Sequence, residues 1–427
     1  MRALLALALA AGCAAAAGVP AHAAPAARPV TAFAETPALF DDAAGGDADG
    51  DDPAIWVHPD VPGGSLIVAT AKNGGLRVYD LSGRELQSIA TPPPPGPGDE
   101  AGRFNNVDLV SGFRLGGRTV DLAVVTDRGR DQLRFYRIDP EAAAAGRAPL
   151  TDVTAAEVPF VFSADQAEVN GQATAYGLAT WSDGGRAHAV VSRRSTTRLG
   201  LVEITARGGR VGYRLGGTVD LPDAFRLPDG SSWTPCGEPG EGPQVEGMVY
   251  DPATGALYAA QEDVALWRIR VDPAGTAFGR RSVVERVREY GVPATYDPAT
   301  EECEVHYDRD PGYGGRIGAD VEGVTVYETG RRSGHLLVSA QGDDTFFQYD
   351  RRTNAPTGQF TVADGPAADG VQESDGAAVT SAPLPGRPAG LLVVHDGANT
   401  PDVPGEDGEP RPNTNFKLID ARLLGLD

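Results

Sequence analysis

Cationic character, long apolar runs and soft metal ligands are what this chain of 427 residues has least of. Its 37 Lys and Arg face 59 Asp and Glu, for a formal net charge of −22. That leaves no basic face for a nucleic-acid backbone and argues equally against an anionic membrane surface. Beyond the N-terminus no segment is long and apolar enough to span a bilayer. Three cysteines and six histidines, without H-x-x-x-H or C-x-x-C spacing, argue against a zinc centre. Three phosphatase or nucleotide signatures are missing too. R-H-G-x-R-x-P does not occur, the stretch CGEPGEG from Cys236 holds no arginine, and there is no G-x-x-x-x-G-K-[ST]. Long helical periodicity is also scarce: the best run, Pro140–Ala148, is interrupted by glycine.

The chain opens MRALLALALAAGCAAAAGVPAHAAPAARP. Arg2 is a short positive region, Leu4–Gly18 an apolar core and Ala21-His22-Ala23 a cleavage signal. Residues 1–23 therefore read as a secretory signal peptide, 24–45 as a flexible N-terminal segment and 46–427 as one folded domain. LALAAGC is a loose lipobox, and lipoprotein processing before Cys13 is the alternative. In an exported protein the two remaining cysteines, Cys236 and Cys303, read as a disulfide, with two free thiols as the other reading. A secreted monomer is expected.

What is abundant is turn chemistry: 55 Gly and 34 Pro with no Gly-X-Y period point to a turn-rich all-β fold. One pattern recurs: an apolar run, a polar tip, then an alternating run with an aromatic residue. Copies start at residues 65, 119, 186, 255, 334 and 390, at spacings of 54, 67, 69, 79 and 56 residues. Such a spacing holds about four strands, one propeller blade. The expected fold is all-β, a six-bladed β-propeller with four-stranded antiparallel blades around a central channel. Trp56, Trp181 and Trp267 are assigned to blade cores.

In a propeller, equivalent strand ends from every blade converge on one face. Polar residues stand at those ends here. Lys72, Arg128 and the pair Arg193-Arg194 supply cations; Glu246, Glu262, Asp263, Asp320, Glu322, Asp369, Asp375 and Asp396 supply a ring of carboxylates. Gathered acids raise one another's pKa unless a cation intervenes. Ca²⁺, which takes six to eight oxygens in irregular geometry, suits them. Taken singly, each cation could be a hairpin-tip charge, and Glu246 and Glu322, each ahead of a glycine, could merely bond a turn. The stretch GDADGDDPAIWVHPD from Gly46 is not an EF-hand, because its glycine falls at the fourth place of the loop. Alone it would read as a solvated acidic turn.

GDADGDDPAIWVHPD, FNNVDLV, YGLATW, VEGM, LYAAQEDVALWR, DVEGVTVY, ADGVQESDGAAV and NTNFKLI, in that order from Gly46 to Ile419, resemble the landmark motifs of β-propeller phytases. The resemblance implies a six-bladed propeller and calcium-dependent hydrolysis of myo-inositol hexakisphosphate, or its calcium salt, by attack of a water that calcium activates. It implies calcium ligands at Asp51, Asp52, Glu246, Glu262, Asp320, Glu322, Asp369 and Asp375 and at the carbonyl of Val107. Asp263 and Asp396 complete the expected metal set. It also implies phosphate contacts from Lys72, Arg128 and Tyr176, which with Arg194, Glu246 and Glu262 form the expected catalytic group. Tyr176 alone could be a core aromatic. Where the family has lysine this chain has Arg193-Arg194, with Arg194 the expected contact and Arg193 the alternative. Asp396 stands where amides are common, and the insertion carrying Cys236 and Cys303 departs from the simplest members. A non-catalytic calcium-stabilised propeller and a calcium-dependent propeller esterase or lactonase remain as alternatives.

Overall fold

The computed structural model describes residues 27–300, 302–405 and 408–426. The signal peptide, its cut after Ala23 and Cys13 lie outside the described residues. Six antiparallel sheets follow one another along the chain. Pro53–Trp56, Leu66–Thr70, Leu76–Tyr79 and Glu85–Ile89 make blade one. Blade two is Phe104–Leu115, Arg118–Asp127, Gln132–Ile138 and Leu150–Asp152. Ala175–Asp183, Arg186–Arg193, Arg198–Arg207 and Arg210–Asp220 form blade three. Blade four comprises Val245–Asp251, Ala256–Gln261, Ala265–Val271 and Phe278–Arg286. Blade five has Val321–Glu328, Gly334–Ala340, Thr345–Asp350 and Pro356–Val362. Blade six has Ala377–Thr380, Leu391–Asp396 and Asn413–Asp420. The first strand of each blade touches the first strand of the next, and blade six returns to blade one. The ring is a six-bladed β-propeller. The six recurring hairpins of the sequence are the second and third strands of these blades. Among the described residues no helix is long and apolar enough to cross a membrane.

Second strands read as unbroken apolar runs because a neighbouring blade covers each face; every residue of Leu66–Thr70 and Leu391–Asp396 is buried. The cores lie between blades. Trp56 seals blades one and two and donates its indole N–H to Asp121 at 2.8 Å. Trp181 of blade three stacks on Tyr250 of blade four, centroids 4.3 Å apart, and Trp267 sits in the same core. Burial of this kind stabilises by about 25 cal/mol per Å² of apolar surface.

The stretch expected to be flexible, residues 24–45, differs in part. Arg28–Val30 adds a parallel strand to blade five, and Ala34–Glu35 pairs with Leu418 and Lys417 as the fourth strand of blade six. Val30 and Leu39 are buried there, which is what holds the segment down. An early strand thus completes blade six, and the ring closes through its pairing with the last strand of the chain's sixth blade. The insertions before and after blade four are tied to each other as expected: Cys236 and Cys303 form a disulfide, Cα atoms 6.1 Å apart.

One local device recurs where the first strands enter the ring. The ladder slips between residues 175 and 178 in blade three, 245 and 248 in blade four, and 321 and 324 in blade five. Each bulge carries a polar side chain followed by glycine: Tyr176-Gly177, Glu246-Gly247, Glu322-Gly323. Bulges re-aim side chains, and the glycines let the next blade approach. A Cβ on Gly177 would stand 2.0 Å from the Glu246 carbonyl oxygen, and one on Gly247 1.7 Å from that of Glu322. Hydroxyls on the second strands take up freed amides: Ser192 accepts from Gly177 N–H and Ser339 from Gly323 N–H, both at 2.7 Å. Gly247→Ala is therefore expected to cost about 1–3 kcal/mol, the usual range for overpacking. Gly217→Ala, with nothing within 4 Å of its Cβ, is the control and should change little. Equal denaturant midpoints for the two variants would show that the close approach is not needed.

Candidate active site

At the end of the ring where these bulges lie, the side chains they re-aim meet. Glu246, Glu262 and Glu322, from blades four and five, are all buried and bring one carboxylate oxygen each to within 4.8 Å of the others. Glu246 is fully engaged. The Asn105 amide donates to its Oε1 at 2.7 Å, and the Tyr176 hydroxyl to its Oε2 at 2.5 Å. Glu262 accepts from the Gln244 amide at 3.0 Å through Oε2 only. Glu262 Oε1, Glu322 Oε2 and Asp51 Oδ1 are buried with no hydrogen-bond partner among the described residues. An unpaired buried carboxylate oxygen costs several kcal/mol, about what burial of a polar group without compensation costs. Burial, followed by repulsion from neighbouring acids, drives the carboxyl groups of Asp51, Glu262 and Glu322 well above their ordinary pKa. Asp375 is pushed to about 6 by burial, with Lys72 pulling the other way. An all-oxygen, charge-rich cluster with idle lone pairs is the donor set of a hard divalent cation.

Two further acids lie close. Asp52 accepts the Val107 N–H at 3.1 Å, which sets Val107 beside this carboxylate; the resemblance implied a different role, its carbonyl as a metal ligand. Asp263 is raised by burial and by Asp320 and Glu289. A cavity of about 400 Å³ opens here, lined by Gln244, Glu262, Asp263 and the loop 234–243 that the disulfide ties down.

Cations border the acids on one side. Lys72 sits at a hairpin tip with φ of 40°. Its ammonium lies 2.5 Å from Asp49 and 3.8 Å from Asp375. Burial would release its proton, but Asp375, Asp51 and Asp49 outweigh that and hold it on. Arg128 differs. Its guanidinium lies 5.7 Å from the centroid of the Tyr176 ring and 3.4 Å from the Asn105 amide oxygen. Its pKa is pulled down to about 10, first by burial and then by the charges of Arg103 and Arg194. Arg103 is itself paired with Asp47 at 2.5 Å; it is the crowding of Arg128 by positive charge, next to a carboxylate cluster, that marks the place where an anion is wanted. Arg193 turns away and donates its Nε–H to the Ala173 carbonyl at 2.7 Å.

The structure thus brings Asp51, Asp52, Val107, Glu246, Glu262, Asp263, Asp320, Glu322 and Asp375 together with Lys72, Arg128, Tyr176 and Arg194. Asp369 and Asp396 form a separate group around the ammonium of Lys417. Sequence reasoning passed over Asn105, Gln244, Gln341 and Asp49. The amide of Gln341 holds Asp375 at 2.7 Å. Three of these four are amides, which carry no charge to catch attention, although Asn105 stands inside the NNVD stretch.

A profile of the family described as Phytase matches residues 1–194 and 294–423. Glu246 and Glu262 fall in the interval between, and the fold itself places them in the site. The 3-phytase of Bacillus subtilis (strain 168) is 32% identical over 394 residues, covering 91% of this chain and 83% of that protein. Among solved structures, an auxiliary nutrient binding protein from Bacteroides thetaiotaomicron covers 91% of this chain and 76% of its own at 7% identity and a TM-score of 0.44. A protein from Lactobacillus plantarum covers 70% and 68% at 12% identity and a TM-score of 0.39. Likeness that weak carries nothing about function.

Proposed function

The chain belongs to the phytase family and hydrolyses phytate as a 3-phytase, and we propose that it does so as a secreted, calcium-dependent phosphomonoesterase whose site is the carboxylate cluster and its cationic border. The observation that carries this reading is the set of buried, partnerless oxygens on Asp51, Glu262 and Glu322 beside the un-neutralised guanidinium of Arg128. Calcium fits the donor set, and the residues that would hold it are Asp51, Asp52, Glu246, Glu262, Asp320, Glu322 and Asp375. When bound there it supplies positive charge at the phosphoryl oxygens and makes water a better nucleophile.

The chain's own groups do the rest. Arg128 and Arg194 present planar forks to the equatorial oxygens of a phosphate ester, and Lys72 adds a point charge. Preorganised charge of this kind does most of the work in phosphoryl transfer, because the transition state needs positioning and neutralisation more than covalent help. Glu246 fixes the Tyr176 hydroxyl. Asn105 links Glu246 to Arg128 and so couples the acidic and basic halves. Burial pushes the Tyr176 hydroxyl well above its ordinary pKa, so it stays protonated and serves as a donor. A polyanionic substrate is repelled by a chain of charge −22; only a cation-loaded mouth turns the local field in its favour. Every residue of the site comes from one ring, so a monomer suffices. The leader at residues 1–23 and the disulfide support export.

The purified protein is expected to release phosphate from phytate in the presence of calcium ions and to prefer it over a simple monoester such as p-nitrophenyl phosphate. Equal turnover on both, with or without the ion, would sink the proposal.

A further inference from the structure

Arg194 stands at the tip that joins the second and third strands of blade three, Arg186–Arg193 and Arg198–Arg207. Its positive charge presses on Arg128. Like charges drive such a tip away from the mouth, so a fixed Arg194 needs a hold elsewhere. The hold is on the next residue. Ser195 has a φ of 57°, and bonds reach it from the loop ahead of blade four. The Ser195 N–H donates to Gln244 Oε1 at 2.8 Å, and the Gly242 N–H donates to the Ser195 carbonyl at 2.9 Å. On the exposed side the Ser195 hydroxyl donates to Glu241 Oε1 at 2.6 Å.

Gln244 has a second grip. It precedes the first strand of blade four and Glu262 follows the second, and the ladder that sets Val245 opposite Gln261 brings the two side by side. The Gln244 side-chain amide donates to Glu262 Oε2 at 3.0 Å, and its backbone carbonyl accepts the Glu262 N–H at 3.2 Å. One side chain therefore spans from the tip that carries Arg194 to a carboxylate of the acidic cluster. A primary amide suits the place, because its oxygen accepts while its nitrogen donates. A carboxylate could take the Ser195 N–H but would set another negative charge against Glu262. The foot of this strut is rigid. The Pro243 carbonyl accepts from the amide of Gln261 at 2.9 Å, Gln261 is fully buried, and its oxygen takes the Trp267 indole N–H at 2.9 Å.

We propose that Gln244 is a positioning residue, which fixes the separation of Arg194 from Glu262 so that guanidinium and acidic cluster meet one and the same phosphoryl group. The proposal rests on the reading of the mouth as a phosphate-ester site. Gln244 touches no reacting atom; it acts through the two groups it joins.

Gln244→Ala cuts both side-chain bonds. Its kcat/KM on phytate should fall by about 10- to 10²-fold, the scale of a misplacement of an ångström or less. In an Arg194→Ala background the same substitution should cost no more than about threefold, because the group it positions is gone. Gln244→Met, which fills the space and makes neither bond, should resemble Gln244→Ala. Losses that simply multiply in the double variant overturn the proposal, and so does parent-like turnover in Gln244→Met. Hydrogen exchange of the substrate-free protein supplies a readout without turnover. The Ser195 amide should exchange about fivefold faster or more in Gln244→Ala, as loss of one hydrogen bond requires, while amides of Arg186–Arg193 and Arg198–Arg207 keep the parent's rates. An unchanged Ser195 rate overturns the proposal. Lost protection throughout blade three overturns it too, since Gln244 would then hold the fold and not the tip. A parent protein inactive on phytate would sink the functional reading, and the exchange rates would still decide whether Gln244 holds the tip.

Discussion

Stripping divalent cations from this protein is expected to abolish phosphate release from phytate and to lower the melting temperature, and calcium is expected to restore both. The carboxylates of Asp51, Glu262, Glu322 and Asp375 have folded-state pKa values raised above their ordinary ones, chiefly by burial. A raised carboxyl pKa means that the folded state binds protons more tightly than the unfolded chain. Its stabilising effect is therefore fully present below the unfolded pKa and is lost as pH rises through the folded value. For Asp375 the loss centres at about 6. Metal-free protein should accordingly be most stable in mild acid and weaken through neutrality. Calcium reverses the trend, because it displaces the same protons and binds better as they leave. An ion at a hundred times its dissociation constant adds about 2.7 kcal/mol. With an unfolding entropy of about 2.1 cal/mol/K per residue, that is a shift of about 3 °C per ion in a ring of this size, and several ions multiply it. Melting curves at pH 5 and pH 8, with chelator and with calcium, check the whole claim. Turnover surviving exhaustive chelation, or a metal-free melting temperature indifferent to pH, would defeat it.

The ring itself was legible in the sequence because each blade repeats one hairpin, and a repeat shows through even when its copies diverge. The acids of the mouth were legible for the same reason. Glu246 and Glu322 both precede glycine at a strand entry, and the structure shows why: the glycine admits the neighbouring blade and the bulge turns the acid inward. The closing strand was not legible. Ala34–Glu35 is two residues long, too short for any periodicity, and only its pairing with Lys417 and Leu418 gives it a place. Asp369 and Asp396 were grouped with the mouth because acidity alone does not show that Lys417 stands between them. Lys417 lay in plain view in NTNFKLI, but a lysine inside an apolar strand announces nothing until the acids facing it are known. Asn105 escaped because an amide carries no charge, although it bridges Glu246 and Arg128.

Arg128→Ala should cost about 10²- to 10³-fold in kcat/KM on phytate, the range seen when one preorganised donor to a developing oxyanion is removed, and should cost little stability. Arg128 is crowded by Arg103 and Arg194, so deleting it relieves repulsion in the substrate-free protein. The melting temperature in calcium should hold or rise slightly. Lys72→Ala should differ in kind. Its ammonium is paired with Asp49 and faces Asp375, and its loss leaves both acids uncompensated, so turnover and stability should fall together. Arg128→Lys separates charge from shape. A lysine restores the positive charge without the fork, and at a site that grips phosphate through two parallel N–H bonds it should recover only part of the loss. Steady-state kinetics on phytate, paired with melting curves for the three variants, tests this. If Arg128→Ala keeps turnover within a factor of three of the parent, the guanidinium does not touch the reacting phosphoryl group. The cationic border would then be an electrostatic guide for the substrate, recognisable by a loss of activity that disappears at high ionic strength.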